Sequence, residues 1–255
     1  MNTGSPKRLP LLAATLVAMT MSVTPAQAST TEDPLEGFNR VIFSFNETLD
    51  RYIAKPVAKA YQAVTPKPVD SAITRFFNNL TSPVTLVNQL LQGKPADAAA
   101  TTARLLWNST VGLGGLFDVA AKMGVPAKKE DFGQTLGVWG VQSGPYLMLP
   151  IFGPSTVRDA VGRVVDQAPN PRNYVNRDAA LGATALDMVD TRADLLALEK
   201  IIEGDRYLFI RDAYLQQRAS AIVDGRVERD EFLDDDEPDD AGVPADATGT
   251  GTSAE

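Results

Sequence analysis

EDFGQTLGVWGVQSGPYLMLPIFGPSTVRD, residues 130–159, is the most unusual stretch of this chain. It contains five glycines and three prolines together with four aromatic residues, and all of its charges lie at its two ends. Glycine and proline are both unfavourable inside helices, so we predict turns and unusual backbone angles here. Solvated loops dilute these residues with polar ones, whereas this stretch is apolar. Either the protein's own core or a lipid phase must therefore cover it.

The absence of two residue types excludes most familiar catalytic chemistry. The 255 residues include no cysteine and no histidine. Thiol nucleophiles, cysteine-ligated metals, Ser-His-Asp triads and most transition-metal hydrolase sites are therefore excluded. Residues 111–118, VGLGGLFD, lack the full dinucleotide-binding fingerprint, and Glu130 and Asp131 are a carboxylate pair only in sequence. We predict no catalytic residues, no cofactor and no metal site.

The N-terminus has the form of a secretory signal peptide. A basic pair precedes an apolar run at residues 9–23, and small residues occupy the positions of a cleavage site. We predict a signal peptide at residues 1–28, cleaved between Ala28 and Ser29, and hence an exported protein. A membrane anchor is the alternative, although the run is shorter than the ~20 residues of a spanning helix.

The negative charge is concentrated near the C-terminus. The formal net charge is -8, and residues 228–255 hold eleven acids against one arginine. Residues 29–227 are therefore neutral overall, which gives no electrostatic case for a nucleic-acid partner. We predict one helical domain at residues 29–227 and a disordered acidic tail at residues 228–255. Binding of that tail to a basic partner is the alternative.

Apolar residues recur at helical spacing between the signal peptide and the tail. We predict a helix at residues 38–53 with one aromatic and aliphatic face. Ser82 and Pro83 have the form of an N-cap followed by proline in the first turn, so we expect another helix to begin there. Residues 156–168 form a further helix, with a stripe of valine and alanine on one face and charged residues opposite.

The C-terminal half of the domain follows the same pattern. We predict one or two long helices at residues 178–219, interrupted near Gly204. YLMLPIF, residues 146–152, is the only plausible short β segment, and Pro150 interrupts it. Many short amphipathic helices occur both in soluble helical proteins and in proteins that lie within a membrane interface. Composition leaves both interpretations open.

Several long motifs resemble the MlaA/VacJ family. They occur in the right order and cover most of the chain between residues 33 and 218. The matching segments are DPLEGFNRVIFSFNETLD (33–50), NLTSPVTLVNQLLQGK (79–94), RLLWNSTVGLGGLFDVA (104–120), the stretch at 130–159 and RDAYLQQR (211–218).

The resemblance implies a transport component and not an enzyme. The family is the outer-membrane component of a Gram-negative phospholipid trafficking pathway that maintains lipid asymmetry. The implied fold is all-α, a ring of short amphipathic helices in the periplasmic leaflet of the outer membrane, around a central channel and with a Gly/Pro-rich hairpin loop. Mislocalised phospholipid from the outer leaflet would enter the channel and pass to a soluble periplasmic lipid carrier. A trimeric porin is the implied partner.

The resemblance also assigns two sets of residues. The flexible loop beside the channel would comprise Gly137, Gly140, Gly144, Pro145 and Tyr146. The wall of the ring would include Phe38, Asn39, Ile42, Phe43 and Phe45.

One departure from the family keeps two other function classes open. Family members usually have a cysteine directly after the signal peptide to hold an acyl anchor, and this chain has none. The apolar rim of the ring and a porin could retain the protein at the membrane instead. The main alternative is a soluble periplasmic lipid-binding or scaffolding protein, which predicts a polar exterior. A carboxylate-dependent hydrolase would need two acids about 5–10 Å apart in a cleft.

Overall fold

A computed structural model describes residues 33–202 and 204–225. The predicted signal peptide at 1–28, its cleavage site between Ala28 and Ser29, and the predicted acidic tail at 228–255 lie outside the described residues. The domain boundaries predicted at 29 and 227 lie outside them as well, and they stay predictions.

The described chain consists mainly of helices, with one pair of short strands. A π-helical turn at Asp50–Ala54 and 3-10 turns at Pro171–Tyr174 and Leu198–Ile201 complete the secondary structure. The helices and strands are α1 (Glu36–Leu49), α2 (Lys55–Val64), α3 (Lys67–Leu91), α4 (Pro95–Thr110), α5 (Val119–Lys122), α6 (Phe132–Val138), β1 (Tyr146–Leu149), β2 (Gly153–Thr156), α7 (Val157–Val165), α8 (Arg177–Leu195) and α9 (Arg206–Ile222).

Contacts between these elements close a ring. α1 contacts β1, β1 pairs with β2, and β2 contacts α9. α9 contacts α6, α6 contacts α3, and α3 contacts α8. α8 contacts α2, which leads back through the π-helical turn to α1. α4 packs against α3 and α5, and α7 packs against α6 and β2. The predicted ring of helices is therefore confirmed.

α1 and α2 form one continuous helix that widens at its centre. The amide of Lys55 donates to the carbonyl of Asp50, five residues earlier, which closes the π-helical turn. Pro56 has no N–H, and a proline ring crowds the carbonyl one turn before it. A single π turn accommodates both effects without breaking the helix. The helix predicted at 38–53 consequently continues to Val64.

The prediction that a helix begins at Ser82 and Pro83 is wrong. α3 runs through both residues without a break. Pro83 cannot donate a backbone hydrogen bond, but the hydroxyls of Thr81 and Ser82 donate to backbone carbonyls about one turn earlier. Packing against α4, α6 and α8 stabilises the rest of the helix, and such packing commonly outweighs local propensity.

Residues 146–156 form an antiparallel hairpin in which Leu149 is opposite Gly153. Only the first part of the β segment predicted at 146–152 is confirmed: β1 ends at Leu149, Pro150 opens the turn, and the second strand was not predicted. The turn contains two residues with positive φ, Ile151 at 69° and Gly153 at 74°. Glycine adopts this conformation freely, whereas a branched residue such as Ile151 rarely does. Glycine and proline give the second strand, GPST, little β propensity, and pairing with β1 and contacts with α7 and α9 hold it extended.

The C-terminal helices follow the sequence prediction. α8 and α9 occupy the predicted helical region, and Gly204, with a φ of 78°, lies between them. Within the described parts of the chain, none of the helices has both the length and the apolar composition needed to span a bilayer.

Candidate functional site

The interior of the ring is polar. Among the described buried residues, polar and charged side chains outnumber apolar ones. Burying a polar group costs free energy unless it is hydrogen-bonded, so each of these buried side chains needs a hydrogen-bond partner. The largest fully buried side chains are Tyr207, Gln89, Asn39, Asn88, Thr135, Thr156, Asp190 and Ser155.

α1 turns its apolar face away from the interior. Phe38, Val41 and Phe45 are three and four residues apart, and they expose 57%, 67% and 51% of their surface. Asn39, on the opposite face, is fully buried. The helices of a water-soluble protein pack their apolar face inward. The polarity of α1 is the reverse.

α7 shows the same reversal. Its valine stripe is exposed, with Val161 at 53% and Val164 at 73%. The charged residues Arg158 and Asp159, on the other face, are almost completely buried. The sequence predicted this stripe but not which way it faces, because an amphipathic pattern is the same in either orientation.

Two asparagines of α1 hold the hairpin. Asn39 donates from Nδ2 to the carbonyl of Tyr146 (3.0 Å) and accepts at Oδ1 from the amide of Met148 (2.8 Å). Asn46 makes the same pair of bonds three residues further along the hairpin, at 2.9 and 2.8 Å. Seven residues are two helical turns, so both side chains project from the same face. Together they pair with the free edge of β1 as a neighbouring strand would.

Asp33 connects the start of the described chain with α9. Its carboxylate accepts hydrogen bonds from Asn39 (3.0 Å) and from the hydroxyl of Tyr207. Burial alone would raise the pKa of Asp33, but the bonds from Tyr207 and Asn39 hold it below its ordinary value. The Tyr207 ring packs edge-on against Tyr146 and Phe43, with centroids 6.1 and 5.6 Å apart. This small aromatic cluster fixes the hairpin against α1 and α9.

Arg218 of α9 joins α6 to α7 through two carboxylates. Its guanidinium donates to both oxygens of Asp131 (2.5 and 2.9 Å) and to both oxygens of Asp159 (3.0 and 2.9 Å). The hydroxyl of Tyr214 also donates to Asp159, at 2.7 Å. Burial raises the pKa of each acid, but Arg218 outweighs it, and both pKa values lie below their ordinary range. Both acids are ionised and paired, which leaves neither free for hydrolytic acid–base catalysis.

α6 and α7 cross at two glycines. A Cβ on Gly162 would lie 2.4 Å from the amide nitrogen of Gly133, and one on Gly133 would lie 2.5 Å from Oδ1 of Asp159. Neither position has room for a side chain. The sequence carried a signal for this crossing, because a glycine inside a helical pattern often marks close packing.

Comparison with known proteins identifies the family. The sequence model of the MlaA lipoprotein family matches residues 31–221. This chain belongs to the MlaA lipoprotein family. The resemblance of its motifs to that family is thereby confirmed.

Relatives and a solved structure agree with this assignment. The intermembrane phospholipid transport system lipoprotein MlaA of Escherichia coli (strain K12) is 36% identical over 191 residues, covering 72% of this chain and 76% of that protein. The protein of the same name from Haemophilus influenzae is 37% identical over 223 residues, covering 82% and 87%. A solved structure, from work on the structural basis for maintenance of bacterial outer membrane lipid asymmetry, has a TM-score of 0.69 at 36% identity and covers 75% of this chain and 100% of its own.

The residues assigned to the channel loop from the MlaA resemblance do not lie in one segment. The connection between α6 and β1 contains Gly140, Gly144 and Pro145. Gly137 lies inside α6, and Tyr146 is a buried residue of β1. The loop in the strict sense is therefore residues 140–145, and whether it moves stays a prediction.

Residues 140–145 are attached to the ring at a few points. Gly140 has a φ of 86°, which only glycine adopts readily. Arg158 donates from its side chain to the carbonyl of Val141 (3.3 Å) and from its amide to the carbonyl of Ser143 (3.1 Å). The indole of Trp139 donates to the carbonyl of Leu91 on α3, at 3.2 Å. α3 and α7 thus hold the two ends of this loop.

The residues assigned to the ring wall point in two directions. Phe38 and Phe45 face outward, whereas Asn39 faces inward and binds the hairpin. Ile42 and Phe43 are half-buried against the cluster of Tyr146, Met148 and Tyr207.

Among the described residues, no cluster of His, Cys, Asp and Glu side chains could hold a metal ion.

Proposed function

We propose that this protein is the outer-membrane component of an intermembrane phospholipid transport system. It lies in the periplasmic leaflet, takes mislocalised phospholipid from the outer leaflet through its central channel, and passes it to a soluble periplasmic lipid carrier. No covalent bond changes in this process, so the protein is a transport component and not an enzyme. Its MlaA relatives are named for intermembrane phospholipid transport, which supports the assignment.

The reversed polarity of the helices is the observation that carries the proposal. A soluble monomer rarely exposes contiguous apolar patches beyond a few hundred Å². Helices that lie within one leaflet bury their apolar face in acyl chains, and they need no spanning segment. Exposed large apolar residues come from many elements and include Phe38, Val41, Phe45, Tyr52, Ile53, Leu106, Trp107, Val111, Leu113, Trp139, Ile151, Phe152, Val157, Val161 and Val164.

These exposed residues also explain retention at the membrane. The 255 residues contain no cysteine to accept an acyl chain, and a single acyl chain gives only marginal membrane binding in any case. We therefore attribute retention to the exposed apolar faces. A trimeric porin beside the ring is the expected partner on the basis of the family resemblance.

Fractionation with a carbonate wash tests the proposed location. We expect the wild-type protein to stay with the outer membrane through the wash. Val164→Glu places a charge on the exposed stripe of α7 and should shift protein into the wash. Gln167→Glu adds the same charge at an exposed polar position just beyond that helix and should not. A wild-type protein that is released without detergent would contradict the membrane proposal and favour the soluble periplasmic lipid-binding protein.

A second experiment tests the loop at residues 140–145. Gly140→Val and Gly144→Val force a branched side chain onto backbones with φ of 86° and 66°. We expect phospholipid to accumulate in the outer leaflet while the protein level stays normal. Gly124→Val is the control, because its φ of 77° imposes similar strain outside the loop. Equal lipid accumulation in all three strains would show general destabilisation and remove the support for a channel loop.

A further inference from the structure

A cavity with several charged side chains in its wall lies between α3 and α4, away from the hairpin. Its volume is about 190 Å³, and its walls are one face of α3, one face of α4, the N-cap of α5 and residues 127–129. The charged side chains that line it are Arg75, Arg104, Lys128, Lys129 and Asp118. Four cations and one carboxylate make this cavity strongly positive.

Two of the cations have no ion-pair partner among the described residues. Arg104 donates to Asp118 at 2.7 Å, and Lys128 donates to Asp97 at 2.9 Å. Arg75 and Lys129 take part in no ion pair with any residue that the structure describes. The positive charge of the cavity is therefore concentrated at these two side chains.

The cavity also contains buried polar atoms without partners. Nε of Arg75 and Oδ1 of Asn79 are buried, and neither has a hydrogen-bond partner within the described ranges. The Nδ2 of Asn79 is already used, because it donates to the hydroxyl of Ser109 at 3.0 Å. Buried donors in folded proteins are nearly always satisfied, and an unsatisfied one calls for an explanation. An oxygen-rich ligand would bond to the terminal guanidinium nitrogens of Arg75, which have no hydrogen-bond partner among the described residues.

The cavity is separate from the interior network of the ring. Arg75, Asn78 and Ser82 follow one another at three- and four-residue steps on one face of α3. Another face of α3 is already engaged, where Thr74 donates to Asp190 (2.8 Å) and Asn88 accepts from Thr135. The polar groups of the cavity are thus not needed to close the ring.

We propose that this cavity binds the phosphate group of a phosphate-bearing ligand, either a phospholipid head group or a soluble phosphate. Arginine presents a planar fork that fits phosphate oxygens, and lysine adds a mobile point charge. Sites that enclose drug-sized ligands measure about 300–1,000 Å³, so this one holds a head group and leaves any acyl chains outside. The lipid form of this proposal rests on the proposed function, whereas the soluble form does not.

Calorimetric titration of the full chain in a non-ionic detergent tests the site. The two probes are inorganic phosphate and dihexanoyl phosphatidylglycerol below its micelle concentration. The test variant is Arg75→Gln with Lys129→Gln. The control is Arg51→Gln with Lys59→Gln, which removes the same charges from exposed positions on the π-helical turn and α2. We expect at least about tenfold weaker binding for the test variant, since one lost charge-assisted hydrogen bond corresponds to about that factor.

A second variant guards against misfolding. Asn78→Asp keeps the side-chain volume at an exposed position of the cavity and adds one negative charge. It should weaken binding of both probes without lowering the thermal unfolding midpoint. Unchanged affinity in both cavity variants, or an equal loss in the control, would overturn the site.

The two probes distinguish the sources of the phosphate. Loss of binding for both probes supports a site that accepts a lipid head group. Binding and loss for inorganic phosphate alone supports a site for soluble phosphate. Binding of neither probe by the wild-type protein overturns the proposal, and it leaves the proposed function untouched if the protein still resists the carbonate wash. If the protein is released in that wash but still binds phosphate, the proposed function is overturned and the cavity site stands.

Discussion

The hairpin side of the ring and the α3–α4 side both bury polar groups, but they satisfy them differently. Near the hairpin, Asn39, Asp159 and Arg218 are engaged by hydrogen bonds across at least two elements. The hydroxyl of Tyr146 is the exception there. Three side chains of α3, those of Arg75, Asn79 and Gln89, each leave a buried polar atom without a partner in the described residues, and so does its C-cap residue, Gln92.

This difference indicates a structural role for the polar groups near the hairpin and a ligand-binding role for those at the α3–α4 cavity. A buried polar network that is fully satisfied rigidifies a fold and specifies one arrangement of its elements. Unsatisfied polar atoms beside a cavity do not stabilise the folded state and are expected where a ligand completes the set. The hairpin network should therefore govern stability, and the α3–α4 cavity should govern ligand affinity.

The largest expected effect on stability comes from removing the carboxylate of Asp159, which is paired with Arg218 of α9. Asp159→Ala leaves Arg218 buried beside a single acid, and removing one partner of a buried ion pair typically costs about 3–5 kcal/mol. Thermal unfolding in detergent measures the loss. Asp178→Ala, at an exposed position in the first turn of α8, should change stability by less than about 1 kcal/mol. Equal effects for the two variants would contradict the structural role of the network.

The asparagines of α1 should differ in importance. Asn39→Ala leaves a buried amide and a buried carbonyl of β1 unsatisfied, at about 1–3 kcal/mol for each group. Asn46→Ala should cost less, because water reaches the turn that it holds and can replace the lost bonds. Comparing the unfolding midpoints of the two variants checks this order. A larger loss for Asn46→Ala would show that the turn, and not the strand, anchors the hairpin.

The crossing of α6 and α7 predicts a smaller loss. Gly162→Ala places a methyl group against the backbone of Gly133, and such overpacking costs about 1–3 kcal/mol. Gly182→Ala is a matched control, since a Cβ there meets nothing within 4 Å. Alanine also favours a helix over glycine, so the control should be neutral or stabilising by up to about 1 kcal/mol. Similar unfolding midpoints for both variants would show that the two helices can move apart.

The smallest effect concerns pH. Burial raises the pKa of Asp166 above its ordinary value of 3.8, and the nearby Asp131 adds to this. The folded protein therefore binds this proton at a higher pH than the unfolded chain does, and the site costs stability above its folded pKa. Asp166→Asn removes that cost, so its unfolding midpoint relative to wild type should fall as the pH drops from 7 towards 4. A difference that stays constant from pH 7 to pH 4 would contradict this assignment.

The helical elements could be predicted from the sequence, whereas their orientation could not. The helix at 156–168 and the break near Gly204 follow from apolar spacing and from glycine. The break expected at Ser82 and Pro83 failed because α3 is held by its neighbours, which a local pattern does not reveal. Likewise, the valine stripe on α7 does not reveal whether the apolar face or the charged face is buried. Only the partners of Arg158 and Asp159, which come from distant parts of the chain, determine that the charged face is buried.

The candidate sites depended even more on distant contacts. The seven-residue spacing of Asn39 and Asn46 is visible in the sequence. Its role is not, because both side chains bind a hairpin about one hundred residues later in the chain. Arg75 and Lys129 lie in segments with no feature in common, and only folding places them in one cavity. The loop glycines were assigned from the family resemblance; Gly140 and Gly144 do have positive φ, and their place beside a channel stays a prediction.

The bond between Asp33 and Tyr207 has a consequence for the order in which the chain becomes structured. It links residues 174 positions apart and ties the start of the described chain to α9, the last helix among the described residues. A protein that is threaded across a membrane from its N-terminus delivers that helix last. Before α9 is present, the charged inner faces of the earlier helices lack partners and the ring cannot close. Contacts between residues this far apart in sequence also form slowly. The ring can therefore close only after nearly all of the described chain is available.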